Sequence, residues 1–556
     1  MSKLKKIITY RYNGWLIAIF IISLLFSIPV LTIFATSLQI GDGSVTGVWQ
    51  HLVDTVLYDY VVNSLLLMFG VAIGTLFIGV STAWLTSVCE FPGRKFFQWS
   101  LLLPLAFPAY IIAYTYTGML DFAGPVQTTL RELFGWGARD YWFPEIRSLT
   151  GAMLMFSLVL YPYVYLLSRA AFLEQSTMTL EASRSLGRGS WYSFFYVALP
   201  MARPTIIAGV SLALMETLAD FGTVEYFGIS TFTTGIYRTW FGLGDSVAAT
   251  QLSSLLLIFV LVLLVMERLS RKQSRFYQQS GKKLHNSRIK LTKKRASIAF
   301  LLCFIPLLFG FLLPFIQLSI WSWETADEML NRDFFKLALH SLELALFTSL
   351  LALLIALLMG YGQRLYNTPL VRILIRITAL GYAVPGTVIA VGVLIPFSWL
   401  DNSIDDWTRS SFDYSTGLIF SGTLFTLIFA YLVRFLSVSI GTVESALEKI
   451  KPSMDDAARS MGSSNLSMLR KVHLPIMKAS LLTALLLVFV DILKELPATL
   501  LLRPFNFNTL AVRAYELAAD ERLEDAASAS IMIVLTGILP VILLSYSISR
   551  QKNESL

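Results

Sequence analysis

The chain has 556 residues, of which 55% are hydrophobic and 14% charged, with a mean hydropathy of +0.66 and a formal net charge of +8. Soluble domains run near one quarter charged, so this composition excludes an ordinary soluble enzyme or binding module. Two cysteines in such a length exclude a disulfide framework.

The apolar residues come in blocks. Residues 14–38 carry no charge, and about 20 such residues let a helix satisfy its own backbone across roughly 30 Å of hydrocarbon. Lys3, Lys5, Lys6 and Arg11 precede this block, as in a signal peptide. The apolar run is too long for a cleaved leader and no small-x-small cleavage site stands out, so it reads as a retained first span. Further spans are expected at 61–87, 98–120, 149–171, 204–222 and 247–266. After a polar linker they resume at 298–322, 339–363, 374–399, 416–438, 479–499 and 528–549. The expected fold is an all-α integral membrane protein of about twelve transmembrane helices. Two pseudo-symmetric six-helix halves, 1–266 and 298–556, flank a basic linker at 267–297.

Charge placement orients the chain. An even number of spans puts both termini on one side. The loops of the other side hold only 10 of the 44 Lys and Arg but 22 of the 36 Asp and Glu, and the linker alone holds 11 Lys and Arg. By the positive-inside rule the termini and linker are cytoplasmic. The net charge follows from that bias and suits anionic lipid headgroups; no nucleic-acid partner is needed.

Cys89 and Cys303 stand singly in or beside apolar segments. His51, His285, His340 and His473 are scattered, without metal-ligand spacing. The Gly281-Lys282 pair has Phe276 where a phosphate-binding loop needs glycine, so ATP-driven work would require a separate ATPase.

The two halves repeat. Asn63-Ser64-Leu65 matches His340-Ser341-Leu342, and Pro108 matches Pro385, both at an offset of 277. The offset then becomes 275. It pairs Gly187, Leu199 and Pro200 with Gly462, Leu474 and Pro475, and Phe232, Thr234 and Arg238 with Phe507, Thr509 and Arg513. Both copies run in the same direction, so the expected pseudo-twofold axis lies along the membrane normal.

Within the repeat, EASRSLGRGSWYSFFYVALP (181–200) and DAARSMGSSNLSMLRKVHLP (456–475) share one pattern: an acid, two small residues, a glycine four positions on, and a closing Leu-Pro. An acid suits a helix N-terminus, small residues permit close approach of another surface, and glycine ends a helix. An ordinary amphipathic interface helix would explain one copy, but not two at matched cytoplasmic positions.

These loops resemble the EAA loop of ABC-importer permeases, with Ser183 in place of the second alanine and Asp456 in place of the glutamate. The resemblance implies that Glu181, Ala182, Ser183, Gly187, Leu199, Pro200 and Asp456, Ala457, Ala458, Gly462, Leu474, Pro475 form two coupling loops, each docking on an ATPase. The stretches 216–242 and 494–523, with the length and span count of the chain, resemble fused permeases of periplasmic ferric-iron importers. That resemblance implies two first-and-second permease domains in one chain of the bacterial inner membrane. Two copies of a cytoplasmic ATPase, which would hold ATP and Mg, and a periplasmic binding protein would complete the complex. The chain itself would bind no cofactor and catalyse no bond chemistry.

Residue chemistry also points to a hard cation. The offset of 275 pairs Glu216 with Asp491 and Asp220 with Glu495, in the fifth and eleventh spans. Each pair is four residues apart and so shares a helix face. Intramembrane acids usually face a cavity or a partner, and carboxylate oxygens suit hard cations. These four are therefore candidate pathway and transient metal-contacting residues; the alternative is that they cap or brace helices, with Lys494 neutralising one. Arg238 and Arg513 are candidates for docking the binding protein, with surface salt bridging as the alternative. Thiamine, polyamine or aminophosphonate importers share this scaffold, and an ion-coupled secondary transporter would explain the repeat and the acids but not two matched loops.

Overall fold

The computed structural model describes residues 14–37, 45–174, 189–272 and 289–553. Helices dominate, and the strand content among the described residues is one two-residue parallel pair, Cys89–Glu90 with Ile289–Lys290. Among the described residues, ten helices are long and apolar enough to cross a membrane. The third expected span is instead a pair, Arg94–Ala106 and Ala109–Phe134, bent by 90°. The twelfth falls on the helix Ala527–Asn553, whose apolar part Ala527–Ile542 is shorter than the rest.

Prolines set the places where spans break. Pro108 and Pro385 each stand immediately before a helix, Ala109–Leu120 and Gly386–Phe412, with ψ of 142° and 145°. The residues before them, Phe107 and Val384, are extended at ψ 128° and 127°. The proline ring forbids the helical conformation to its predecessor, so hydropathy reads one span where the backbone makes two pieces.

A second proline effect recurs three times. Leu199-Pro200, Leu313-Pro314 and Leu474-Pro475 each follow a five-residue π turn, at Phe194–Ala198, Leu308–Leu312 and Leu469–His473. In each, the leucine N–H reaches back five residues, to the carbonyls of Phe194, Leu308 and Leu469. Proline offers no N–H and crowds the carbonyl four residues back; a wider turn just upstream relieves that crowding.

The compact units do not follow the two halves of the sequence. One gathers the described residues up to Trp49 with 236–254 and 332–513; the other gathers 50–235, 255–331 and the described residues from Ala514. In the first unit, Gly14–Ser37 packs along Gly386–Phe412 and Pro369–Thr378. Phe26 stacks on Phe429 at 5.4 Å, and the Thr378 hydroxyl donates to the Ser23 hydroxyl at 3.0 Å. In the second unit, Leu57–Val88, Leu149–Glu174 and Leu199–Ala219 pack on one another. A β-carbon at Gly209 would lie 2.8 Å from the Val164 Cα. Such small residues permit close helix contact, the main source of helix association in lipid.

Candidate functional site

The second repeated loop is built as its sequence suggests. Pro452 opens the helix Pro452–Ser460 with a proline where a missing N–H is harmless. Gly462 closes it at φ +76°, the left-handed conformation that glycine alone adopts freely. The Gly462 N–H donates to the Arg459 carbonyl at 2.9 Å, and the Ser463 N–H donates to the Ala458 carbonyl at 3.0 Å, the paired bonds of a glycine-terminated helix end. Asp456 and Ala457 are exposed, in line with exposed Met454 and Met461, whereas Asp455 and Ala458 face inward and are buried. Ala458 joins Tyr361 and Met468 in a small core. Leu474 and Pro475 follow the π turn and start the next span. In the first loop, Glu181, Ala182, Ser183 and Gly187 lie outside the described residues; Leu199 and Pro200 take the same place after their own π turn.

Beneath the second loop lies a polar cluster that sequence reasoning missed. The Arg364 guanidinium donates to both oxygens of Asp455, at 2.8 and 3.1 Å. It also donates to the Leu447 and Ile450 carbonyls at the end of the neighbouring span. The His473 Nε2 lies 2.9 Å from Asp455 Oδ1, and its ring is fully buried. The Tyr361 hydroxyl donates to the Asn465 carbonyl at 2.6 Å. Burial opposes charge on Asp455, yet the Arg364 and His473 hydrogen bonds outweigh it and hold the carboxyl below its ordinary value. Asp455 directly precedes the repeated pattern, and His473 is one of four scattered histidines without metal-ligand spacing; only their meeting with Arg364 gives them meaning.

The four membrane acids are placed differently from one another. Glu216 and Asp491 stay within their helices, half-buried, and the Asp491 carboxylate pairs with the Lys494 ammonium at 2.8 Å. Asp220 ends the helix Leu199–Ala219 and caps the next short one, Gly222–Tyr226. Its Oδ1 accepts the Thr223 and Val224 N–H groups at 2.9 and 3.3 Å, and its Oδ2 accepts the Thr223 hydroxyl. Glu495 does likewise for Pro497–Leu502: it accepts the Ala498 and Thr499 N–H groups at 2.9 and 3.0 Å and the Thr499 hydroxyl at 2.6 Å. Arg434, buried within its span, donates to Glu495 at 3.0 Å.

As placed, the expected metal-contacting set is not gathered into one cluster. Among the described residues no three His, Cys, Asp or Glu side chains gather as metal ligands. The reason is local: Asp220 and Glu495 stand at helix breaks, where their oxygens turn onto backbone amides that would otherwise be unpaired. Of the docking candidates, Arg238 is exposed in the π turn Arg238–Gly242, and Arg513 is half-buried in the helix Leu510–Ala519. Cys89 and Cys303 are buried thiols, not joined in a disulfide.

A family model described as "Binding-protein-dependent transport system inner membrane component" matches this chain twice, over residues 75–275 and 352–553. The chain is similar to the "Fe(3+)-transport system permease protein FbpB 2" of Haemophilus influenzae, 27% identical over 540 residues, 95% of this chain and 97% of that protein. It is also similar to the "Ferric transport system permease protein FbpB" of Actinobacillus pleuropneumoniae, 23% identical over 94% of this chain and 76% of that protein. The "Molybdenum transport system permease protein ModB" of Escherichia coli K12 is 32% identical over 32% of this chain and 71% of that protein.

Proposed function

This chain belongs to the binding-protein-dependent transport system inner membrane component family, and on that premise we propose that it is the permease through which an ABC importer carries iron(III) across the inner membrane. The observation that carries the choice of iron is the end-to-end likeness to a protein named for Fe(3+) transport, 95% of one chain against 97% of the other. Two copies of a cytoplasmic ATPase bind the coupling loops, and a periplasmic binding protein delivers the cargo on the side of Arg238 and Arg513. The termini and the basic linker face the cytoplasm.

The geometry of the second loop supports the coupling role. Its exposed Asp456, Ala457 and flanking methionines form a small, adaptable face for another protein. Its inner face is fixed to the membrane helices through Asp455 and Ala458. Closure of the ATPase pair on ATP moves both loops and switches the pathway between inward- and outward-open states, an equilibrium biased by differential binding. The pathway role of Glu216, Asp220, Asp491 and Glu495 stays within this proposal, narrowed by the capping bonds: Asp220 and Glu495 would meet cargo only if those bonds open.

The test is reconstitution in liposomes. The purified chain alone takes up no cargo; with the ATPase, the binding protein and ATP, it takes up labelled iron(III) and not molybdate, thiamine or a polyamine. Uptake of one of these in place of iron would reassign the cargo. Accumulation driven by a proton or sodium gradient without ATP would overturn the importer reading.

A further inference from the structure

We propose that Arg364 is a positioning residue for energy coupling: through Asp455 it locks the second coupling helix to the membrane helices, so that movement of the loop is passed on rather than absorbed. This rests on the coupling role given to that loop.

One guanidinium joins three elements. Arg364 sits in the last turn of the helix Arg332–Leu365. Its fork meets both oxygens of Asp455, in the first turn of the coupling helix. Its remaining donors reach the Leu447 and Ile450 carbonyls, at and just beyond the end of Leu424–Glu448. A bidentate guanidinium–carboxylate pair fixes orientation as well as distance. Here both side chains are largely buried, at 16% and 12% exposure, so water screens the pair little.

His473 adds a fourth element. It lies in the π turn ahead of Leu474–Leu493, and its Nε2 meets the Asp455 oxygen already bound by Arg364 Nη2. Tyr361, one turn before Arg364, packs edge-on to the His473 ring at 5.3 Å and bonds Asn465 beyond the loop glycine. Asp455 is thus held from the spans on both sides of its loop and from Arg332–Leu365. A helix tethered only by apolar contacts can slide; one held by a fork and an imidazole has a defined position.

At the matched positions the first half carries other side chains. The repeat offsets place Ser87, Leu180 and Ala198 where the second half has Arg364, Asp455 and His473. At the position of Tyr361 stands Trp84, which packs on Phe172 and Phe194 at 5.4 and 4.9 Å. The ionic clamp is therefore a property of the second half and not a general requirement for folding the repeat.

The experiment uses the assembled complex with Arg364→Gln, Arg364→Lys and Asp455→Asn, measuring cargo taken up per ATP hydrolysed and permease abundance in the same vesicles. Arg364→Gln and Asp455→Asn should assemble and hydrolyse ATP while uptake per ATP falls about fivefold or more, the lower end of what coupling interactions give. Arg364→Lys, which keeps the charge but loses the fork, should fall between. A second measurement needs no ATPase: a spin label on Ala457→Cys, with Cys89 and Cys303 replaced by alanine, should become more mobile in purified Arg364→Gln. If wild type itself shows no ATP-dependent uptake, the coupling reading fails while the label still reports on the clamp. Wild-type uptake per ATP in the surviving Arg364→Gln complexes, or an unchanged label, would overturn the proposal.

Discussion

Asp220 and Glu495, 275 residues apart, do the same work: each accepts the backbone N–H groups of the residues three and four positions ahead of it. Each thereby caps a short helix that restarts after a break in an apolar span. Both also accept a threonine hydroxyl, from Thr223 and Thr499, and the longer Glu495 pairs in addition with Arg434. Acids at matched membrane positions suggested an oxygen-lined path; the same acids are what a broken helix needs to satisfy its exposed amides.

That relationship predicts unequal outcomes for two similar substitutions. Glu495→Gln strands the buried Arg434 guanidinium, and breaking a buried pair on one side costs about 3–5 kcal/mol. Asp220→Asn keeps one acceptor for the cap and should cost about 0.5–2 kcal/mol, the usual worth of a cap. Membrane abundance and the unfolding midpoint in detergent should therefore fall much further for Glu495→Gln. Normal stability in both variants, with iron uptake per complex abolished, would restore the pathway role to these acids.

Gly386 offers an independent probe of the same ion pair. A β-carbon there would collide with the Arg434 guanidinium, lie 2.7 Å from Glu495 Oε1 and come within 3.3 Å of the Ala498 nitrogen. Gly386→Ala should push Arg434 off Glu495 and destabilise the protein. Combined with Glu495→Gln it should do less than the sum of the two, since residues sharing one interaction are not additive. Additive loss in a double-mutant cycle of unfolding midpoints would mean that the glycine serves something else.

At Gly462 the constraint is conformational. A β-carbon there meets nothing within 4 Å, so space is not limiting, but φ +76° costs a residue with a β-carbon about 1–2 kcal/mol. Gly462→Val should leave the spans inserted and weaken ATPase association measured by co-purification. Gly462→Asn should be milder, because asparagine tolerates this conformation. Equal co-purification of Gly462→Val and wild type would show that the turn does not position the docking face.

Much of this was legible in the sequence because hydrocarbon imposes simple rules. The twelve apolar segments each fall on a helix or helix pair, and the offset-275 repeat extends to the π turns, Phe194–Ala198 against Leu469–His473. The breaks at Pro108 and Pro385 were not drawn from hydropathy, since proline inside an apolar run barely changes the average; the rule for residues preceding proline would have found them. Hydropathy also carries no information about which span packs on which, so the interleaved units could not be read. Arg364, Asp455 and His473 are 91 and 18 residues apart in pairs, and no local pattern announces such a meeting.

The same cluster predicts how acid acts on the second loop. Arg364 and His473 favour the charged form of Asp455 and hold its carboxyl below the ordinary value, so folding is favoured by its ionisation. The sign follows: the stabilisation is complete above the unfolded-state value of about 3.9 and is lost as pH falls through the lower folded-state value. Asp455→Asn removes that contribution at every pH. The gap in unfolding midpoint between wild type and Asp455→Asn should therefore close as pH drops below about 3.9. Thermal unfolding of both purified chains across an acid series measures it directly. A gap that persisted undiminished through that acid range would mean that Arg364 does not hold Asp455 as an ion.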